Sequence, residues 1–474
     1  MSQHISYKAP PNGWRTFLIV WVSQSISVIG SALTGFAITI YLTTVLYPDP
    51  SQRAQLAWSL SALNLSFAIP VVFGAPIAGA FVDRHDRKRT MVSMDFLSGC
   101  VSALTMALIA THQLTLFWLV AIGVLSSTIT SFHSAAFDTS YAMLVPEERL
   151  PRANGMMQTI WSISGILAPS VAATLIALPV LARSGQLPAF ATFLAAIPDG
   201  TILAIGIDGL TFYLAALVPL FLFIPSPKRT DLQSSDGKTK SLWADVREGG
   251  LYIWHRRSFL WLLGTFTVAN FVSGTEILQP LIVKFQLAPD WSARGFQFET
   301  AYALVTTVAS VGGVLGGLFI STWGGLKMHR IYGVLVPMIV EGLAVVLFGA
   351  SLGLFVAAAA VGIAGAMTPL MNAHSQAIWQ IQTPHELQGR VFSVRRLIAQ
   401  FSWPASNFLM GALASRFDPG LIIVVLGMVL VIWCVGSLFN PYLRRVEDRQ
   451  WIETQAARYA IQPAHLQKDD VLVI

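Results

Sequence analysis

Apolar residues in this chain gather into long runs, with neither the alternation of half-buried strands nor the one-sided stripe of helices on a soluble core. A helix needs roughly 20 apolar residues to cross a hydrocarbon layer about 30 Å thick. Twelve runs reach that scale, near residues 16–46, 57–82, 90–111, 115–140, 156–182, 201–224, 259–285, 300–323, 331–352, 353–381, 391–416 and 419–443. They predict an all-α integral membrane protein of twelve transmembrane helices. Pro70, Pro169, Pro280, Pro337, Pro369 and Pro404 fall inside the runs. Neighbouring helices can satisfy the backbone groups that a proline frees in a membrane, so kinks are expected there.

The polar stretch 225–258 separates six runs from six, which predicts two six-helix halves, 1–224 and 259–443, and a tail over 444–474. A short amphipathic helix is expected in the linker around residues 243–254. Neither polar stretch reaches the ~40 residues below which a segment rarely folds alone. No soluble catalytic domain fits, and neither an enzyme nor a cofactor site is expected. A weak internal repeat supports the two halves. His133-Ser134-Ala135-Ala136 precedes Pro146 and a run carrying Pro169, while His374-Ser375-Gln376-Ala377 precedes Pro384 and a run carrying Pro404.

Composition sharpens this picture. Hydrophobic residues make up 54% of the chain and charged residues 11%, and mean hydropathy is +0.62, values outside the soluble class. The net charge of +6 does not indicate nucleic acid, because the bases sit in short loops between apolar runs. With the N-terminus inside, twenty-five of the thirty Lys and Arg fall on the cytoplasmic side, so both termini are expected there. Residues 1–13 carry no cleavable signal pattern, and the first run is read as a retained helix. Cys100 and Cys434 lie in separate apolar runs and predict neither a disulfide nor a metal site.

The most charged stretch is Gly79-Ala80-Phe81-Val82-Asp83-Arg84-His85-Asp86-Arg87-Lys88-Arg89, between the second and third runs. It cannot enter hydrocarbon and forces a tight hairpin. Its pattern Gly-x-x-x-Asp-Arg-x-x-Arg-Lys resembles the loop signature of the major facilitator superfamily of secondary transporters, with Asp86 where that family usually has Gly. Further wording resembles the macrolide-efflux and transmembrane-secretion-effector branch: Ser27-Val28-Ile29-Gly30-Ser31, Asp95, Arg152-Ala153-Asn154-Gly155, Ile207-Asp208-Gly209-Leu210-Thr211-Phe212 and Gln388-Gly389-Arg390-Val391-Phe392-Ser393. Ala168 stands before Pro169 where exporters of the family often carry Gly.

An ionisable group near the bilayer centre costs ~2.5–3.5 kcal/mol on insertion scales, so each one asks for a reason. Glu341 lies midway along the ninth run, with Pro337, Met338, Ala344 and Val345 on its helical face. It reads either as a proton carrier or as a neutral carboxyl bonded to a facing helix. Glu276, in the outer half of the seventh run, shares a face with Ser273 and Gln279. It reads as a contact for a cationic substrate, a proton carrier, both, or an interfacial acid. Asn372, Gln376 and Trp379 form a stripe on the tenth run that suits a large amphipathic ligand. His374 points elsewhere and is expected as a hydrogen-bonded core residue.

The resemblance implies that runs 1, 4, 7 and 10 line a central cavity, which adds Gln24 and Ser27 as candidates. It gives Asp208 a packing or coupling role. Asp83 is expected near the start of the eleventh helix, where free N–H groups favour negative charge. Arg84 or Arg87, beside Lys88, is expected to meet Asp138, with Gly79 allowing close approach. These contacts would latch the halves when the cavity opens outward. Two decoys are set aside: the glycines of 312–317 are helix-packing surfaces, and His133 and His374 are not spaced with a nearby acid as metal ligands.

Together these features predict proton-coupled export of an amphipathic small molecule such as a drug, macrolide or secondary metabolite, by alternating access. A siderophore or peptide-product exporter, an uptake symporter and a non-transporting sensor stay open as alternatives. The expected partners are the small molecule, protons and the lipid bilayer, with the chain acting as a monomer.

Overall fold

The computed structural model describes residues 10–82, 84–146, 149–224 and 242–460, and the statements below concern these residues. They are helical throughout, without a strand. The first half contains α1 (Gly13–Tyr41), α2 (Arg53–Val82), α3 (Arg87–Ala110), α4 (Leu116–Leu144), α5 (Leu150–Arg183) and α6 (Thr201–Leu220). The linker contributes α7 (Leu242–Trp254). The second half begins with α8 (Arg257–Ser273), which continues into the three-residue α9 (Gln279–Leu281), and the short α10 (Ala288–Ala293) follows. Next come α11 (Phe298–Trp323), α12 (Arg330–Ala350), α13 (Leu354–Gln382), α14 (His385–Ala414) and α15 (Pro419–Leu438). Beyond them, α16 (Pro441–Arg444) and α17 (Arg449–Ala460) fold back on the second half through Arg256–Glu453 and Arg330–Glu447 ion pairs of 2.8 and 2.9 Å.

Twelve crossings result, counting α8 and α9 as one. Eleven are apolar enough to cross a membrane on composition alone. The exception, α14, starts at residue 385 rather than 391 and carries charged residues in its first third. It packs against α2 and α8. Large apolar side chains such as Phe73, Ile77 and Phe221 point outward at 62–80% exposure, as a lipid-facing surface requires. The protein is a multi-pass membrane protein.

The halves meet at one face and part at the other. One continuous apolar core runs from Leu33–Leu60 of the first half through Leu278, Val305, Phe348 and Ile423 of the second. It lies toward the face opposite the 84–86 hairpin. Toward the hairpin face the cores are separate: one holds residues 252–446 alone, and two others hold residues between 17 and 224. Polar contacts follow the same division. Lys284 donates to the carbonyls of Thr43 and Tyr47, and Arg53 pairs with Asp418 at 2.8 Å, all at the joined face. The central space is therefore closed opposite the hairpin and open beside it.

The crossing α8–α9 is not a continuous α-helix. Pro280 has no N–H to give and its ring crowds the preceding turn. Residues Gly274–Leu278 tighten into a 3₁₀ segment, and Ile282–Gln286 loosen into a π turn. Ser406 of α14 donates to the Phe271 carbonyl at 2.6 Å, satisfying backbone beside the break. Asp86, where the loop signature has Gly, is extended and caps α3 by accepting from the Arg89 N–H at 2.7 Å.

Candidate substrate and proton site

The break in α8–α9 places Glu276. Its side chain is exposed although it lies deep between the helices, because it opens into internal space. A cavity of about 250 Å³ between the halves is lined by Glu276, Gln279, Tyr302 and Asn407 of the second half and by Thr39 and Asn64 of the first. A second cavity of about 100 Å³ inside the second half is lined by Glu276 again, with Glu341, Ser273, Gln279 and Thr368. Glu276 thus borders both spaces and Glu341 only the inner one. Glu341 is 9% exposed, and its Oε2 has no hydrogen-bond partner among the described residues. The facing-helix bond allowed for it is not made.

Asp208 of α6 is 2% exposed and accepts from Thr34 at 2.7 Å and Ser31 at 3.4 Å, both on α1. It borders a cavity of about 220 Å³ within the first half, which α1–α4 and α6 enclose. Asp208 is therefore remote from Glu276 and Glu341, and its bonds tie α6 to α1.

The structure corrects two cavity expectations. Gln24 and Ser27 are 6% and 4% exposed, buried rather than open to a cavity. Gln24 donates to Asp95 Oδ2 of α3 at 2.9 Å, so its amide serves a buried acid. His133 of α4 also corrects its reading, because an acid does lie beside it: Nε2 stands 3.1 Å from Asp95 Oδ1. Sequence reasoning missed this cluster because its members are 38 and 71 residues from Asp95. An acid five residues into an apolar run was the available signal. His374, at the repeat position, differs. Its Nε2 accepts from the Leu326 N–H at 2.9 Å and its Nδ1 faces the Leu370 carbonyl at 2.7 Å, which pins the α11–α12 hairpin to α13.

On α13, Asn372 and Trp379 line one cavity of about 170 Å³ with Phe266, Thr267 and Asn270 of α8 and Arg395 of α14. Gln376 accepts from Arg395 at 2.7 Å. Trp379 is only 1% exposed and stacks on Phe259 at 4.8 Å, so it forms a wall rather than a free aromatic face. Arg395 lies inside α14.

The Major Facilitator Superfamily model matches residues 20–406. The chain belongs to the major facilitator superfamily. As a member of that superfamily it is a transporter. It is 27% identical to macrolide efflux protein A of Streptococcus pyogenes over 411 residues, 85% of this chain and 91% of that one. It is 22% identical to an enterobactin exporter of Citrobacter koseri over 439 residues, 88% and 91% of the two chains. Superfamily structures agree in fold. A bacterial homologue of the lysosomal transporter Spinster, inward-facing and unoccupied, superposes with a TM-score of 0.61 at 16% identity, covering 95% of this chain and 97% of that one. The nucleoside transporter NupG gives 0.64 at 12% identity, covering 90% and 100%.

The superfamily's loop signature is the least described part of the site. Asp83 lies outside the described residues, and Gly79 has open space around its α-carbon. Arg87 donates to the Thr139 carbonyl at 3.0 Å and touches Met143 Sδ, while Lys88 caps α6 at the Leu220 and Leu222 carbonyls. Arg84 and Asp138 are exposed, and the ion pairs among the described residues do not join either of them to a partner.

Proposed function

We propose that this chain exports an amphipathic small molecule in exchange for protons, by alternating access, as a monomer with the hairpin face in the cytoplasm. The excess of Lys and Arg on that face supports the orientation. In it, the conformation described above is open to the cytoplasm. The macrolide-efflux and enterobactin-exporter relatives support the direction and an amphipathic cargo. The observation that carries the reading is Glu276 bordering both the cavity between the halves and the inner one that holds Glu341. A proton bound at Glu276 meets the substrate route, and Glu341 offers a second seat out of its reach. An unpaired charge in such a place is costly, so both acids ask for a role, and coupling supplies one. Asp83, Arg84, Arg87 and Lys88 would close the hairpin face in the alternate state, with Asp138 and the start of α14 as their counterparts.

Proteoliposomes with an imposed pH gradient test this with erythromycin as cargo. Wild type should accumulate it against its gradient. Glu341→Gln should abolish accumulation while retaining erythromycin counterflow. Wild-type transport indifferent to the pH gradient would overturn proton coupling. The enterobactin-exporter relatives favour one second reading, a siderophore cargo, which the same vesicles distinguish by replacing erythromycin with enterobactin.

A further inference from the structure

Arg395 lies ten residues into α14, about 15 Å along the helix at 1.5 Å per residue. A guanidinium at that depth asks for an anion. Among the described residues none lies within ion-pair distance. Its hydrogen bond goes instead to a neutral acceptor, Gln376 Oε1, at 2.7 Å. That bond occupies one of five donors. The group stands 5.4 Å from the Trp379 ring centroid and 6.0 Å from that of Phe266, both within cation–π range. Two rings and one amide thus hold the fork in place without cancelling its charge. Asn270 and Asn372 add amide donors and acceptors to the same cavity.

We infer that this cavity binds the acidic group of an aryl acid, with the carboxylate on Arg395 between the walls that Phe266 and Trp379 form. Resting on the transport reading above, it adds amphipathic aryl acids to the cargo that the chain accepts. Size is consistent with a headgroup site. The cavity holds about 170 Å³, below the ~300–1,000 Å³ of pockets that enclose a whole drug-sized ligand. The remainder of a larger cargo would extend from it into the open central space. Planar, bidentate pairing with carboxylate is what a guanidinium offers and an ammonium does not. Sequence reading of Glu276 allowed a cationic cargo, whereas Arg395 favours the opposite sign.

The test is equilibrium binding to the full chain in nanodiscs, with no pH gradient, so its failure is separable from failure of proton coupling. The probes are tritiated indoleacetate and its neutral isostere indoleacetamide. Wild type should bind the acid at least tenfold more tightly than the amide. Arg395→Gln should erase that difference, and Arg395→Lys should restore only part of it. Equal wild-type affinity for the two probes, or no saturable binding of the acid, overturns the inference without recourse to any variant. A preference for the acid that survives in Arg395→Gln overturns it as well.

Discussion

Lys284 is the strongest single tie between the halves at the closed face. Its ammonium reaches from the π turn of the second half to the Thr43 and Tyr47 carbonyls at the end of α1. Lys284→Met keeps the length and apolar stem of the side chain but removes both bonds. Hydrogen bonds to a charged group contribute about 1.5–3 kcal/mol each. One partly exposed ammonium serves both acceptors, so a total near ~1.5–3 kcal/mol is the appropriate figure. Since ~1.4 kcal/mol is tenfold, the equilibrium should move about ten- to a hundredfold toward the state open at the opposite face. Arg53–Asp418 cannot compensate, because exposed pairs contribute only ~0.2–1 kcal/mol. Spin labels at Ser51 and Ala293, both exposed on that face, would report the change by double electron–electron resonance in nanodiscs, in a Cys100→Ser background. Wild type should give mainly the short distance, and Lys284→Met should add a substantial longer population. Superimposable distributions would refute the assignment of Lys284 as a clamp.

Two further outcomes follow from local geometry. A Cβ on Gly312 would stand 2.0 Å from the Gly362 carbonyl oxygen, whereas one on Gly317 meets nothing within 4 Å. Gly312→Ala should therefore lower thermal stability in detergent by about 1–3 kcal/mol, the range for overpacking, and Gly317→Ala should be close to neutral; equal melting temperatures would contradict the α11–α13 contact. Asp290, in α10, is held below the usual carboxylate range by hydrogen bonds from Arg294 and then from the Leu354 N–H at the start of α13. A depressed folded value means its contribution is present above the unfolded value and is lost as pH falls through the folded one. Asp290→Asn should flatten the acid limb of a stability–pH profile, which an unchanged limb would exclude.

The sequence alone was sufficient for the spans and the two six-helix halves. Crossing a membrane is a one-dimensional requirement of length and apolarity, and charge exclusion acts loop by loop. Glu341 and Glu276 stood out for the same reason, as acids inside apolar runs. Glu276 shows the limit of that legibility. Pro280 was visible, but the 3₁₀ break that opens Glu276 to two cavities needed Ser406 of α14 to satisfy the neighbouring backbone. Which face of a helix meets the cavity was decided only by tertiary packing. Gln24 and Ser27 lie on the expected span, yet both are buried, and the Gln24 amide turns to Asp95 of α3. Arg395 lies in the eleventh run, but its setting was hidden there because its wall, made by Phe266 and Trp379, comes from two other helices. The face at which the halves close was equally hidden. Apolar runs carry no record of their partners, and the joined core depends on contacts between residues far apart in the chain.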